Sequence, residues 1–226
     1  MLISKSRSMI SHPKQVDSNI EQYLVGLTGN ICSGKTKVSE YFHELGACVI
    51  DLDKVVHDLY RYDFSLKYSL YKEFGLKIFN FKLEIDRKKL GKIVFSDKEK
   101  MKQLESIVWP YVTEKAKKDI KDKKDIIIFE GAMIYEAGLD KSFDRNVFVF
   151  ADENKRLKRL VDRNNVTKEE ALKLIKSQVY GVNKESKADY VVENNSSFDV
   201  LKKNVGVVWK ALNKDFLGKK NLSTGG

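Results

Sequence analysis

Apolar positions along this chain follow two alternating rhythms. Short unbroken runs at Tyr23–Leu27, Ala47–Ile50, Ile126–Phe129, Asn146–Phe150 and Tyr190–Val192 have the length and the β-branched or aromatic content of buried strands. Between them the apolar residues recur three and four apart. Val38, Tyr41, Phe42 and Leu45 mark one helix, and Val200, Leu201, Val205, Val208, Trp209 and Leu212 mark a closing one. Strands that are apolar on both faces, separated by helices, predict an α/β fold with a parallel sheet covered on each side.

The stretch between the second and third strands breaks the alternation. Residues 54–120 carry helical patterns over 64–74, 86–94 and 98–120, a turn-like stretch over 75–85, and no central strand. Pro110 reads as a boundary or kink in the last of these helices. So much helix exceeds one crossover and predicts an inserted helical substrate subdomain over 54–120. Further on, Thr167-Lys168-Glu169-Glu170 has the form of a capping box, opening a helix just after a basic one over 152–163. The expected organisation is a disordered extension at 1–22, a folded domain at 23–216 with a lid region at 152–180, and a flexible tail at 217–226.

Within this frame one stretch carries chemistry. Gly29-Asn30-Ile31-Cys32-Ser33-Gly34-Lys35-Thr36 fits the phosphate-binding pattern G-x-x-x-x-G-K-[ST] at every fixed position, between a predicted strand and a predicted helix. Backbone N–H groups in such a loop converge on an anion at the positive end of the helix dipole. Lys35 is expected to reach the β- and γ-phosphates of ATP, and the Thr36 hydroxyl to ligate Mg²⁺. The fold class becomes a P-loop NTPase-type three-layer α/β fold: a five-stranded parallel sheet, the helical insertion, and a short helical lid. Asp51 and Asp53 follow the second strand, on the sheet edge where such folds bind ligands; one can cap the next helix while the other does chemistry. Glu130 closes the third strand as a Walker B-like carboxylate for the metal. Arg156, Arg159 and Arg163, spaced three and four apart, share one helical face and suit a lid that neutralises a transferring phosphoryl group.

Composition removes other classes. The net charge of +10 favours anionic partners, but the lysines are spread along the chain and no basic–aromatic tract is organised for nucleic acid. No run approaches the roughly 20 apolar residues of a membrane span. Two cysteines make neither a disulfide framework nor a metal cluster, so a reducing, cytoplasmic setting is expected. The Ser-rich first twenty residues leave organelle targeting as the alternative. Asn183-Lys184-Glu185-Ser186 lacks the aspartate of a guanine-reading Asn-Lys-x-Asp segment, which sets aside a GTP switch in favour of a small-molecule kinase.

On these residues the chain resembles the dephospho-CoA kinase family, over roughly residues 23–212. Gly26-Leu27-Thr28-Gly29 with Ile31, Ser33, Gly34 and Lys35 matches that family's phosphate loop, and Val49-Ile50-Asp51-Leu52-Asp53 its Asp-x-Asp strand. Ile85-Asp86-Arg87 with Leu90 is similar to its substrate segment; Leu104-Glu105 and Pro110, then Glu136, Arg159 with Arg163, and finally Gln178, Ala188-Asp189 and Asn194 follow in order. The resemblance implies transfer of the γ-phosphoryl of ATP to the ribose 3′-hydroxyl of dephospho-CoA. It implies Asp53 at the reacting centre, Arg87 and Glu136 on the substrate, Arg159 and Arg163 on the transferring group, and Asn194 beside the adenine. A nucleoside monophosphate kinase-like enzyme and a nucleotide-dependent regulatory module are the alternatives. The chain departs from the family pattern at Asn30 and Cys32, where glycines are usual, and at His57, Trp109, Gly131-Ala132-Met133-Ile134 and Lys184. Most of these bear on the acceptor half of the site rather than on ATP.

Overall fold

The computed structural model describes residues 22–121, 125–177 and 184–224. Five parallel strands, β1 (Gln22–Gly29), β2 (Cys48–Asp51), β3 (Asp125–Glu130), β4 (Arg145–Phe150) and β5 (Tyr190–Glu193), lie in the order β2-β3-β1-β4-β5. The chain first builds on one side of β1, then crosses to the other. That reversal opens a crevice at the carboxyl end of β1, which is where the phosphate loop begins.

Helices α1 (Lys35–Glu44) and α8 (Phe198–Thr224) cover one face; α2 (Leu52–Tyr62), α3 (Phe64–Phe74), α4 (Arg87–Val94) and α5 (Lys98–Ile120) cover the other. The alternation along β3 serves both layers. Ile126 and Ile128 join the α1–α8 core, while Ile127 and Phe129 join the α2–α5 core. Truncating fully buried Ile127 to alanine should cost about 2–5 kcal/mol. A smaller cluster, Leu157, Leu160, Ala171 and Ile175, joins α6 (Glu153–Asn164) to α7 (Lys168–Ser177), with Ile31 and Cys32 of the phosphate loop packed against it. The capping box forms as spaced: Thr167 N–H donates to Glu170 Oε2 and Glu170 N–H to Thr167 Oγ1.

Helices α2–α5 of the insertion bury their apolar faces in one core with Ile50, Ile127 and Phe129 of the sheet. Two expectations need correction. Pro110 neither ends nor divides α5, since Val108, Val112, Ala116 and Ile120 bury a continuous stripe along it and tertiary packing outweighs one missing N–H donor. The tail from 217 continues α8 to Thr224. Phe216 is buried against Tyr23, Asp215 accepts from Arg145 and from the Tyr190 hydroxyl, and Lys219 pairs with Asp144, so the last turns are anchored to the sheet. The extension at 1–21 and Gln178 lie outside the described residues.

Candidate active site

The phosphate loop is shaped by what surrounds it. Gly34 caps α1 at φ +94°, and a Cβ there would stand 2.2 Å from the Asn194 side-chain nitrogen. Gly29 is closed in by the Val149 carbonyl oxygen, 2.5 Å from where a Cβ would sit. The loop's own carbonyls are held from outside. Asn194 Nδ2 donates to Ser33 O at 2.7 Å, and Arg159 Nη1 donates to Cys32 O and Ser33 O, both at 3.3 Å. Arg159 Nη2 donates in turn to Asn194 O at 2.9 Å. With these peptide units fixed, the cradle is set before a ligand arrives. The Ser33 hydroxyl is fully buried with no partner among the described residues, as befits a loop built to close on an anion.

Hydroxyl and carboxylate oxygens adjoin this cradle. Thr36 Oγ1 donates to Glu130 Oε1 at 3.1 Å, and Ser39 Oγ donates to Glu130 Oε2 at 2.6 Å. No group of three or more His, Cys, Asp and Glu side chains able to hold a metal occurs among the described residues. A hydroxyl and one carboxylate are instead the donor set of a Mg²⁺ completed by nucleotide phosphates and water. The residues present fit the ion. Lys35 Nζ donates to Gly29 O at 3.1 Å; burial lowers its pKa, and the charges of Glu130 and then Asp53 push back up.

The two aspartates after β2 divide their work. Asp51 Oδ1 accepts from Lys54 N–H at 2.9 Å and caps α2, while Asp53, in the first helical turn, lines a cleft of 810 Å³. Arg87 and Lys88 at the start of α4 line the same cleft, as do Val56, Leu90, Met101 and Leu104. Asp53 is exposed along the cleft, yet protein around the carboxyl strips enough water to raise its pKa, and the like charge of Asp51 adds to this. Lys35, a hydrogen bond from the Ala132 backbone and Arg87 act in the opposite direction. Tyr60, on the cleft wall, has its phenol pushed up to about 12 by burial, so it stays an uncharged donor.

Other expected residues sit elsewhere. Arg156 is buried, with Nε on the Ala151 carbonyl, and is no part of a cationic stripe. Arg159 and Asn194 donate to the loop backbone at the Cys32 and Ser33 carbonyls. Arg163 is exposed, its Nε donating to the Asn164 side-chain oxygen, and among the arginines of α6 it is the one open to solvent. Glu136 does not line the cleft and is paired with Lys184, whose charge is close enough to depress Lys35. His57 is exposed on α2 and outside the cleft lining. Sequence reasoning missed Ser39 and the Ala132 amide. Ser39 had a signal, three residues after Thr36 on one helical face; a backbone amide had none.

Comparison with known proteins agrees with this geometry. A model of the dephospho-CoA kinase family matches residues 23–199. The dephospho-CoA kinase of Fusobacterium nucleatum is 40% identical over 184 residues, covering 80% of this chain and 94% of the relative. Among solved structures, a Thermus thermophilus protein superposes with a TM-score of 0.73 and the Campylobacter jejuni dephospho-CoA kinase with 0.59. Each is 26% identical and covered over 98% of its length, with 85% and 86% of this chain. A family match over residues 23–199 and a relative 40% identical over most of its length show that the chain belongs to the dephospho-CoA kinase family.

Proposed function

We propose that the chain transfers the γ-phosphoryl group of ATP to the ribose 3′-hydroxyl of dephospho-CoA, with Asp53 orienting that hydroxyl and accepting its proton. The observation that carries this assignment is the position of Asp53: it lines the acceptor cleft and is coupled electrostatically to Lys35 of the phosphate loop. In a loose transition state the hydroxyl proton leaves late, so a carboxylate suffices as base. The loop amides of residues 30–36 and Lys35 hold the phosphates. Thr36 and Glu130 hold Mg²⁺, which when bound neutralises charge on the phosphate oxygens. Arg163 closes on the transferring group from α6, and Arg159 with Asn194 keeps the loop in shape. Arg87 binds an anionic part of the acceptor. Glu136, paired with Lys184, acts on the acceptor from outside the cleft lining.

The test is ATP consumption with dephospho-CoA, with a panel of nucleoside monophosphates, and with no acceptor, the product's phosphate position being read by phosphorus NMR. Turnover confined to dephospho-CoA with a 3′-phosphate product is expected. Equal turnover on a monophosphate would move the chain to another kinase class.

A further inference from the structure

Glu130 has two oxygens and two hydroxyl neighbours, and the neighbours are not equivalent. Thr36 Oγ1 meets Oε1 at 3.1 Å and is exposed; Ser39 Oγ meets Oε2 at 2.6 Å and belongs to a buried side chain. Ser39 Oγ also stands 2.9 Å from the Thr36 backbone carbonyl. Its hydroxyl has a single proton and two acceptors within reach. The shorter contact is to the charged oxygen, and hydrogen bonds to an ionised acceptor are the stronger, so the proton goes to Glu130. Water does not compete at a buried hydroxyl.

We propose that Ser39 is a positioning residue for the metal site: it pins one carboxylate oxygen of Glu130, so that the other stays aimed at the Thr36 hydroxyl, with which it would hold the ion. The inference rests on the reading of Thr36 and Glu130 as metal ligands. Without Ser39 the carboxylate can rotate about its last bond and swap oxygens, and the ligand must be ordered again each time the ion binds. Ligands ordered by an outer hydrogen bond bind metal about 10- to 100-fold more tightly than the same ligands without it.

The experiment titrates Mn²⁺ into the full chain saturated with ADP and reads the enzyme-bound ion by electron paramagnetic resonance, for wild type, Ser39→Ala, Glu130→Gln and the double variant. Ser39→Ala should weaken Mn²⁺ binding about 10-fold while ADP affinity in metal-free buffer is unchanged. The double variant should be no weaker than Glu130→Gln alone, because Ser39 acts through Glu130. Ser39→Cys, which fills the same space with a poor donor, should follow Ser39→Ala and covers the case in which alanine disturbs packing. If Glu130→Gln weakens Mn²⁺ binding but Ser39→Ala does not, or if the two losses add in full, the role of Ser39 is overturned and the ligand reading stands. If Glu130→Gln leaves Mn²⁺ binding intact, the ligand reading falls and the role of Ser39 falls with it.

Discussion

The phosphate loop is gripped by polar contacts from outside, whereas the cleft beneath α4 and α5 is walled largely by side chains that only pack. Around the loop, Arg159, Asn194, Thr36, Ser39 and Glu130 each make defined hydrogen bonds. Around the cleft, Val56, Leu90, Val94, Met101, Leu104 and Val108 supply apolar surface, with Asp53 and Arg87 near the reacting end. The difference suits the two ligands of the proposed reaction. A triphosphate gains from donors already fixed where charge develops, since none must reorganise during transfer. A long, largely uncharged acceptor arm gains from apolar area, which tolerates substitution if volume is kept.

This contrast can be broken in three ways, the largest effect first. Asp53→Asn keeps the shape at the junction of the halves and removes the base; rapid-quench transfer should slow by at least ~10²-fold, with ATP and dephospho-CoA still bound. A near-normal rate would reduce Asp53 to a helix residue like its neighbours. Next, Arg159→Ala removes the outer grip on the loop and should weaken ADP binding in the resting enzyme about 10-fold, the loss of roughly one charge-assisted hydrogen bond. Arg163→Ala should leave resting ADP affinity alone and slow turnover instead; equal losses in both variants would dissolve the distinction between grip and lid. The smallest effect is in pH. Burial and then Asp51 raise the Asp53 pKa above its ordinary 3.8, so the acid limb of kcat/KM lies above that of a free aspartate. Asp51→Asn preserves the cap and removes the like charge, and should move that limb to lower pH. The sign for stability is the reverse of the usual carboxylate. In the window between the unfolded and folded pKa the folded state holds a proton that the unfolded state releases, so stability falls as pH rises through it.

Much of the architecture was legible because it is written in local pattern. Apolar runs gave all five strands, Thr167 and Glu170 gave a cap, and the Gly34-Lys35-Thr36 end of the loop fixed the ligand class. What was not legible depends on partners distant in sequence. Arg159 looks like a lid cation on its own helix; only the fold shows that it spans to Cys32, 127 residues away. Asn194 reads from the sequence as a residue beside the adenine, and only the fold shows its Nδ2 on Ser33 O. The end of α8 looks solvated because its anchors, Tyr23, Asp144 and Arg145, belong to other strands and their ends. The split between Asp51 and Asp53 lay between the two, since spacing allowed either to cap and geometry chose Asp51.

On the proposed function the two ligands are read by separate halves of the site that meet at Asp53. Calorimetric titration of Arg87→Ala with dephospho-CoA and, separately, with ADP and Mg²⁺ separates those halves. Dephospho-CoA should bind about 10-fold more weakly, as for loss of a charge-assisted contact, while the affinity for ADP with Mg²⁺ is unchanged. Weakening of both ligands together, or of neither, would contradict that reading.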